Sequence, residues 1–518
     1  MTEAQATATS LLNPTDRALA LLTVAELRAL ETEHAAALPP HTLMSRAGQS
    51  AAAFLREQIH TAATKKIWLA AGPGNNGGDA LITATELHRA GIPVEVCMPI
   101  EVKPEDARWA LQEARAAGIK ISATAPGSFE DYGWLVDGLF GIGLTRPLEG
   151  IFATLAQHLT QHTRRHGKVL ALDIPSGLDS DTGNPAANGP TVRATHTVTF
   201  IGAKPGLFMA SGRDLAGKVV LAPIGIDTSS RTAVQLNAPS LFSPYLPPRN
   251  FSSNKGTFGS LAVVGGDTGM CGAPILAARA ALYTGAGKIF VALLGAGAPP
   301  YDPPHPELML HAIDDLPLDK MDALAIGCGM GNRERASQSL NDVLPLDVPK
   351  LLDADALNLI AADQALGAKV AARGAKGDPC VLTPHPLEAA RLLGCDAPTV
   401  QRDRLAAARS LTARFASVIV LKGAGTVIAA PDGRIAINPT GNAALATGGT
   451  GDVLGGIIGA LLAQKLPPFE AALAGVYLHG LAADTLTAQG EGPAGLSAGE
   501  LAPMVRKLLN RLFYPARD

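Results

Sequence analysis

The sequence predicts an α/β protein of two domains, each a largely parallel sheet covered by helices. Three observations predict it. Short β-rich runs alternate with Ala-rich helical stretches over most of the chain, the rhythm of βαβ units. That rhythm breaks once, after Ile226, in a Ser-, Pro- and Asn-rich segment of little periodicity, DTSSRTAVQLNAPSLFSPYLPPRNFSSNKGTFG. At 518 residues the chain also exceeds what a single hydrophobic core serves.

Taken in order, the first 22 residues read as a tail or a loosely docked helix. From about Thr23 the runs KKIWLA, PVEVCM, WLVDGLF, KVLALDI and THTVTFI read as strands of a first domain, residues 1–235, with its core at about 23–227. The runs SLAVVGG, KIFVALL, DALAIGCG, KLLDADAL, PCVLTP and SVIVLKG read as strands of a second, residues 236–518. No tandem repeat of solenoid length interrupts either.

Composition removes several function classes. The chain is 47% hydrophobic and 17% charged with net charge −3, so it has no basic field to recruit nucleic acid or an anionic membrane. No apolar run reaches the roughly 18 residues of a membrane span. The N-terminus carries Glu3 and Asp16 and no basic n-region, unlike a signal peptide. Five cysteines, Cys97, Cys271, Cys328, Cys380 and Cys395, never form a C-x-x-C pair, which argues against a disulfide framework or zinc site and for the cytoplasm.

In a parallel α/β sheet, ligands bind beyond the carboxyl ends of the strands. Three such loops of the first domain carry chemistry. Gly72, Gly74 and Gly77 in AAGPGNNGGDALIT satisfy the dinucleotide fingerprint G-x-G-x-x-G, which alone fits a structural turn as well as a binding loop. A dehydrogenase would need an acid at the end of the next strand, whereas Glu95 lies inside PVEVCM, and Asp79 would repel a pyrophosphate. Asp137 and Asp173 follow strands and read as turn or cap residues, or, with Asn76 and Ser176, as oxygens converging on a hard cation or a polar ring.

In the second domain, NPTGNAALATGGTGDVLGGIIGA sets Gly448, Gly449 and Gly451 where an apolar helix begins, so a phosphate can approach free N–H groups. Asp452 at that start can take a proton from a hydroxyl attacking a phosphoryl group, or simply cap the helix. A Walker A loop is absent from the sequence. Lys422, Gly423, Ala424, Gly425 and Thr426 read as a nucleotide loop or a hairpin turn, His385 between two prolines as a surface or a site residue, and Asp353 and Asp355 as magnesium ligands or caps, Asp355 the more structural.

The series GPGNNGGDAL, VDGLFGIGLTRPL, LALDIPSGLDSDTG and VRATHTVTFIGAKPGL resembles the epimerase domain of NAD(P)H-hydrate repair enzymes over residues 23–227. The resemblance implies a Rossmann-like three-layer domain that interconverts the R and S forms of hydrated NADH or NADPH. It implies substrate contacts from Asn75, Asn76, Gly77, Gly78 and Asp79, from Gly141, Ile142, Gly143, Leu144, Thr145, Arg146 and Pro147, and from Asp173, our candidate acid/base. It also implies a potassium ion on Asn76, Asp137 and Ser176. Ser45 and Ala80 depart from that family's usual Glu and Gly.

The segments KGTFGSLAVVGGDTGMCGAPILAARAALYTGAG, LDADALN, LTPHPLEAARLLG, LKGAGT and NPTGNAALATGGTGDVLGGIIGA resemble the dehydratase half of the same enzymes over residues 236–512. This implies a ribokinase-like α/β domain using ADP, with Mg2+, and yielding AMP. It implies nucleotide contacts from Lys422 to Thr426 and from Gly451, hydrated-cofactor contacts from Ala273, Gly331, His385 and Asp452, and catalysis by Asp452. Lys288 departs from a more usual aliphatic residue. Self-association is implied by the resemblance alone. The alternative is a vitamin-type kinase joined to a ligand-binding domain, which shares GGTGD.

Overall fold

The computed structural model describes residues 11–13, 17–59, 65–228, 233–297 and 299–514. The chain divides into two compact units, the first ending at Leu236 and the second beginning at Asn237. Both have the α/β class read from the sequence.

In the first unit β1 (Lys66–Ala71), β2 (Val94–Cys97), β3 (Lys120–Ser122), β4 (Tyr132–Gly138), β5 (Lys168–Leu172), β6 (His196–Phe200) and β7 (Lys218–Ala222) form one sheet. Its order is β3-β2-β1-β4-β5-β6-β7 and every adjacent pair is parallel. The order reverses between β1 and β4, which is where such sheets open a crevice. β1 shows why both faces are covered: Ile67, Leu69 and Ala71 pack on one side and Trp68 and Ala70 on the other. The first layer comprises α2 (Thr42–Gln58), α3 (Asn75–Arg89) and α4 (Glu105–Ala116), and α5 (Gly150–Arg164) supplies the second. α1 (Val24–Ala35) starts in a capping box of Thr23 and Glu26.

Two expectations are corrected. Residues Leu11 to Leu22, where described, are extended rather than helical: Leu12 bridges Leu221, Ala20 bridges Gln235 and Leu21 bridges Ala203, with Leu21 and Leu22 fully buried. The first ten residues of that expected tail lie outside the described residues. Asp137 is not in a loop but within β4, opposite Ala70 of β1 and Ala171 of β5.

After β8 (Val234–Leu236), the strands of the second unit are β9 (Ser260–Gly265), β10 (Lys288–Leu293), β11 (Met309–Ala312), β12 (Ala323–Ile326), β13 (Lys350–Leu352), β14 (Val381–Leu382), β15 (Val418–Leu421), β16 (Val427–Ala429) and β17 (Ile435–Ile437). They run β11-β10-β9-β12-β13-β14-β15-β16-β17, parallel up to β15, with β16 and β17 antiparallel. The helices that position its site are α6 (Gly272–Thr284), α7 (Ala354–Ala362), α8 (Pro386–Leu393), α9 (Thr450–Ala463) and α10 (Pro468–Ala488).

The glycines of VLGGIIGA have a packing reason. A Cβ on Gly456 would stand 1.9 Å from the Ala277 carbonyl, so α9 and α6 meet almost backbone to backbone. α9 is buried along nearly its whole length. Among the described residues no helix is long and apolar enough to cross a membrane.

Candidate functional site

In the first unit the carboxyl ends of β1, β4, β5 and β6 converge on one cavity of about 670 Å³. The glycine loop after β1 delivers α3 to it. Gly72 and Gly77 are demanded by contact, since a Cβ on Gly77 would lie 1.9 Å from the Gly72 carbonyl and one on Gly72 would lie 1.7 Å from that of Leu139. Gly74 faces open space as the N-cap, and Asn75, Asn76 and Asp79 line the cavity. Gly77 and Gly78 lie buried beneath that wall. Of the second loop, Gly141, Ile142, Gly143 and Leu144 reach the cavity wall, while Pro147 stands against Gly189. Thr145 and Arg146 follow just beyond the lining residues. Glu95, the acid a dehydrogenase would need elsewhere, pairs with Lys66 at 3.0 Å and accepts from the Tyr132 hydroxyl at 2.7 Å.

Asp137 and Ser176 pair with each other outside the cavity lining, while Asn76 lines the cavity and its backbone stands against Gly138, the residue after Asp137. Asp137 is wholly buried; one of its oxygens accepts from the Ser176 hydroxyl at 2.6 Å and the Leu139 N–H at 3.2 Å, the other from the Ser176 N–H at 2.8 Å. Burial pushes its carboxyl up to about 6 against the pull of those three donors. The Asn76 side-chain amide is buried with neither its oxygen nor its nitrogen partnered, a cost that a native site rarely leaves uncompensated. The Phe140 carbonyl accepts from Ser176 at 3.1 Å and adds another oxygen.

Asp173 stands one residue beyond β5 with φ of 66°, in the left-handed region that a non-glycine residue seldom occupies. Its Oδ2 lies 3.3 Å from where a Cβ on Gly141 would be, and Asn76 borders the same spot. Its Oδ1 is ion-paired with Lys204, itself only 1% exposed. Two further acids join the cavity. Burial, then the negative charge of Asp173, pushes Asp79 well above the usual carboxylate range, and the same two causes raise Glu31.

In the second unit the loops after β12, β13, β14 and β15 meet the start of α9. Asp452 does not cap that helix: the N-cap is Gly449, with φ of 90°, and Asp452 lies in the first turn. Its carboxyl is raised by burial while the buried Cys328 thiol hydrogen-bonds to it. Gly451 sits between Lys422 and Asp353, 3.6 Å and 3.9 Å from their polar atoms when given a Cβ. Asp353 both caps α7, accepting from Ala354 N–H at 2.9 Å, and pairs with Lys422 at 2.7 Å.

Lys422 leaves β15 at a hairpin, since β15 and β16 pair antiparallel across Gly423, Ala424, Gly425 and Thr426. The hairpin reading of that segment therefore holds. His385 is the N-cap of α8, its Nδ1 accepting from Leu387 N–H at 3.1 Å and Glu388 N–H at 3.2 Å; it is 46% exposed. Burial and the Lys422 charge lower it, and burial raises Glu388 to about 7. Asp355 accepts from the Gly331 N–H at 2.8 Å, the structural role expected of it, and thereby fixes the loop facing Asp267 and Met270. Ala273 opens α6 near Gly329 of that loop.

Several residues here escaped sequence reasoning: Lys204, Glu31, Cys328 and Arg404. Arg404, 1% exposed, donates to the carbonyls of Leu421 at 3.0 Å and Lys422 at 3.2 Å and so holds the hairpin from beneath. Lys204 lies in the quoted AKPG segment, which was the available signal.

The family described as YjeF-related protein N-terminus matches residues 40–206, and that described as NAD(P)H-hydrate dehydratase matches residues 261–503. The bifunctional NAD(P)H-hydrate repair enzyme Nnr of Escherichia coli is 39% identical over 480 residues, covering 91% of this chain and 90% of that one. The ADP-dependent (S)-NAD(P)H-hydrate dehydratase of Neisseria meningitidis is 50% identical over 264 residues, 50% of this chain and 88% of its own. A solved ADP/ATP-dependent NAD(P)H-hydrate dehydratase from Bacillus subtilis shares 33% identity over 53% of this chain and 98% of its own, at a TM-score of 0.46. With the Escherichia coli relative matched across both units, the chain belongs to the family of bifunctional NAD(P)H-hydrate repair enzymes.

Proposed function

We infer that the protein repairs hydrated NADH and NADPH in two steps: the first unit interconverts the R and S forms, and the second, read as ribokinase-like, dehydrates the S form with ADP, releasing AMP and phosphate. Family membership supports the pair of activities, and one observation carries their placement: each unit gathers its acids at the carboxyl ends of parallel strands, around Asp173 in one and Asp452 in the other.

In the first unit the hydroxyl at C6 leaves with a proton as water, the ring nitrogen's lone pair covering the developing cation. Water re-adds on the other face and loses a proton. Asp173 moves that proton, and its negative charge favours the cation between the two events. Asn75, Asn76 and Asp79 hold the dinucleotide against the helix start. The buried, unpartnered Asn76 amide, the Asp137 carboxylate and the Ser176 hydroxyl fit a potassium ion, whose bound charge would steady the loops that carry substrate.

In the second unit Asp452 takes the proton of the C6 hydroxyl while its oxygen attacks the terminal phosphoryl of ADP; the phosphoanhydride bond breaks and AMP leaves. Phosphate then departs from C6, a proton leaves C5 and the ring double bond returns. The free N–H groups at the start of α9 and the Lys422 ammonium receive the phosphates. Mg2+ is proposed to travel with ADP on its phosphates, beside Asp353. Ala273, Gly331 and His385 are read as the walls for the hydrated ring. The vitamin-kinase alternative, whose first unit would only bind a ligand, has less support, since the Escherichia coli repair enzyme is matched across both units. The free cysteines and family suggest a cytoplasmic, self-associating enzyme.

Incubating the protein with separated R and S hydrates and ADP, while following the reduced-nicotinamide absorbance, tests this reading. Both epimers are expected to return, the R form after a lag. Exchange should weaken when potassium is replaced by a bulkier monovalent cation; insensitivity to that swap removes the cation from the scheme.

A further inference from the structure

The Asp173–Lys204 pair carries an inference beyond the assigned contacts. Lys204 is 1% exposed and all three of its ammonium protons are committed: to Asp173 Oδ1, to the Thr199 hydroxyl at 2.8 Å and to the Phe200 carbonyl at 2.9 Å. Thr199 is itself fully buried. Asp173 Oδ1 is correspondingly saturated, since it also accepts from the Phe200 N–H at 3.2 Å and faces the Thr199 hydroxyl at 3.5 Å. Among the described residues nothing donates a hydrogen bond to Oδ2, which borders Gly141 on the cavity side. The two oxygens of one carboxylate therefore have different tasks.

We propose that Lys204 is the positioning residue of the epimerase site: it locks Oδ1 of Asp173 so that Oδ2 alone is presented to the hydrated ring, and it gives no proton of its own. The proposal rests on the epimerase reading of the first unit. Its chemistry is general. A buried acid whose counter-ion is spent on structure keeps one free lone-pair direction, and a fixed proton acceptor is worth more than a mobile one. A lysine with a proton to spare would instead act on substrate directly.

The test is epimer exchange by the full chain carrying Lys204→Met, with kcat and KM separated. Wild-type protein must first exchange the epimers and Asp173→Asn must not; failure there overturns the epimerase reading, not the role of Lys204. The expected result for Lys204→Met is a fall of ~100-fold in kcat with KM changed less than ~3-fold, because proton transfer is lost and the binding loop is intact. A small alkylammonium should restore part of the rate to Lys204→Ala. Unchanged kcat, or a raised KM at unchanged kcat, overturns the proposal, the latter by making Lys204 a substrate ligand. If Lys204→Met does not fold, Thr199→Val decides: it removes one anchor of the ammonium, so kcat should fall at constant KM, and an unaltered kcat overturns the assignment.

Discussion

Asp452 shows what the residue scale decides. In sequence an Asp at a helix start is most simply a cap, but here Gly449 takes that position and frees Asp452 for the site. Its carboxyl touches the Cys328 thiol and feels Asp353 and Lys422, an arrangement suited to accepting a proton next to an incoming phosphate. Asp452→Asn keeps the shape and removes the proposed base, so ADP-dependent dehydration should fall by ~10³-fold while epimer exchange persists. Loss of both in a folded protein contradicts two separate sites. Deeper in the same unit, His479 on α10 is buried with Nε2 unpartnered, and burial lowers it to about 4. Because its folded value lies below the unfolded one, its contribution to stability is complete above pH 6.5 and drains away as the pH falls toward 4, by about 3 kcal/mol. Melting of the second unit should therefore lose less between pH 7 and pH 4.5 in His479→Leu than in wild type. Residues of this kind explain what the sequence concealed. Asp173 and Asp452 were legible because loops with glycines announce them. Lys204 finds its partner 31 residues away and Arg404 finds its carbonyls 17 and 18 away, and no local pattern records such contacts.

At the scale of elements, the glycine loop separates packing from binding. The dinucleotide pattern marks Gly72, Gly74 and Gly77 alike, yet only two of them are under steric compulsion. Gly77→Ala would press a methyl into the Gly72 carbonyl at 1.9 Å, both atoms belonging to backbone that cannot swing aside. α3 would have to lift from β1, costing on the order of 3 kcal/mol and displacing Asn76 from the cavity wall. Gly74→Ala meets nothing within 4 Å, at extended φ and ψ, and should cost under about 1 kcal/mol. Thermal melting of the first unit and the rate of epimer exchange check both; equal sensitivity at the two positions would mean that the loop, not the contact, sets the requirement. The long strands were readable for a related reason. β1 and β5 are apolar on both faces and stand out as runs, whereas β3 is one exposed and two half-buried residues and β13 and β14 are shorter than their runs suggest. Asp137 reads as a turn or cap residue because an acid after an apolar run commonly has that role; its Ser176 and Leu139 donors, invisible in the sequence, are what permit it inside β4.

For the whole molecule, the two activities form a sequence in which the first makes the only form that the second consumes. The R hydrate must be released or passed on as the S hydrate, and the two acids proposed to act on it, Asp173 and Asp452, belong to different compact units. If the S hydrate diffuses between them, covalent linkage serves supply of both activities and not transfer. Mixing equal amounts of Asp137→Ala protein, deficient in exchange, with Asp452→Asn protein, deficient in dehydration, should then restore ADP-dependent return of NADH from pure R hydrate. Neither variant alone should act on it beyond the slow spontaneous exchange. The rate of the mixture should rise with total protein and approach half that of wild type when exchange is not limiting, since half of each site is present. Recovery of less than a tenth of that rate, with each variant keeping its remaining activity, would require the S hydrate to stay within one chain or one assembly and would make the fusion itself part of the mechanism.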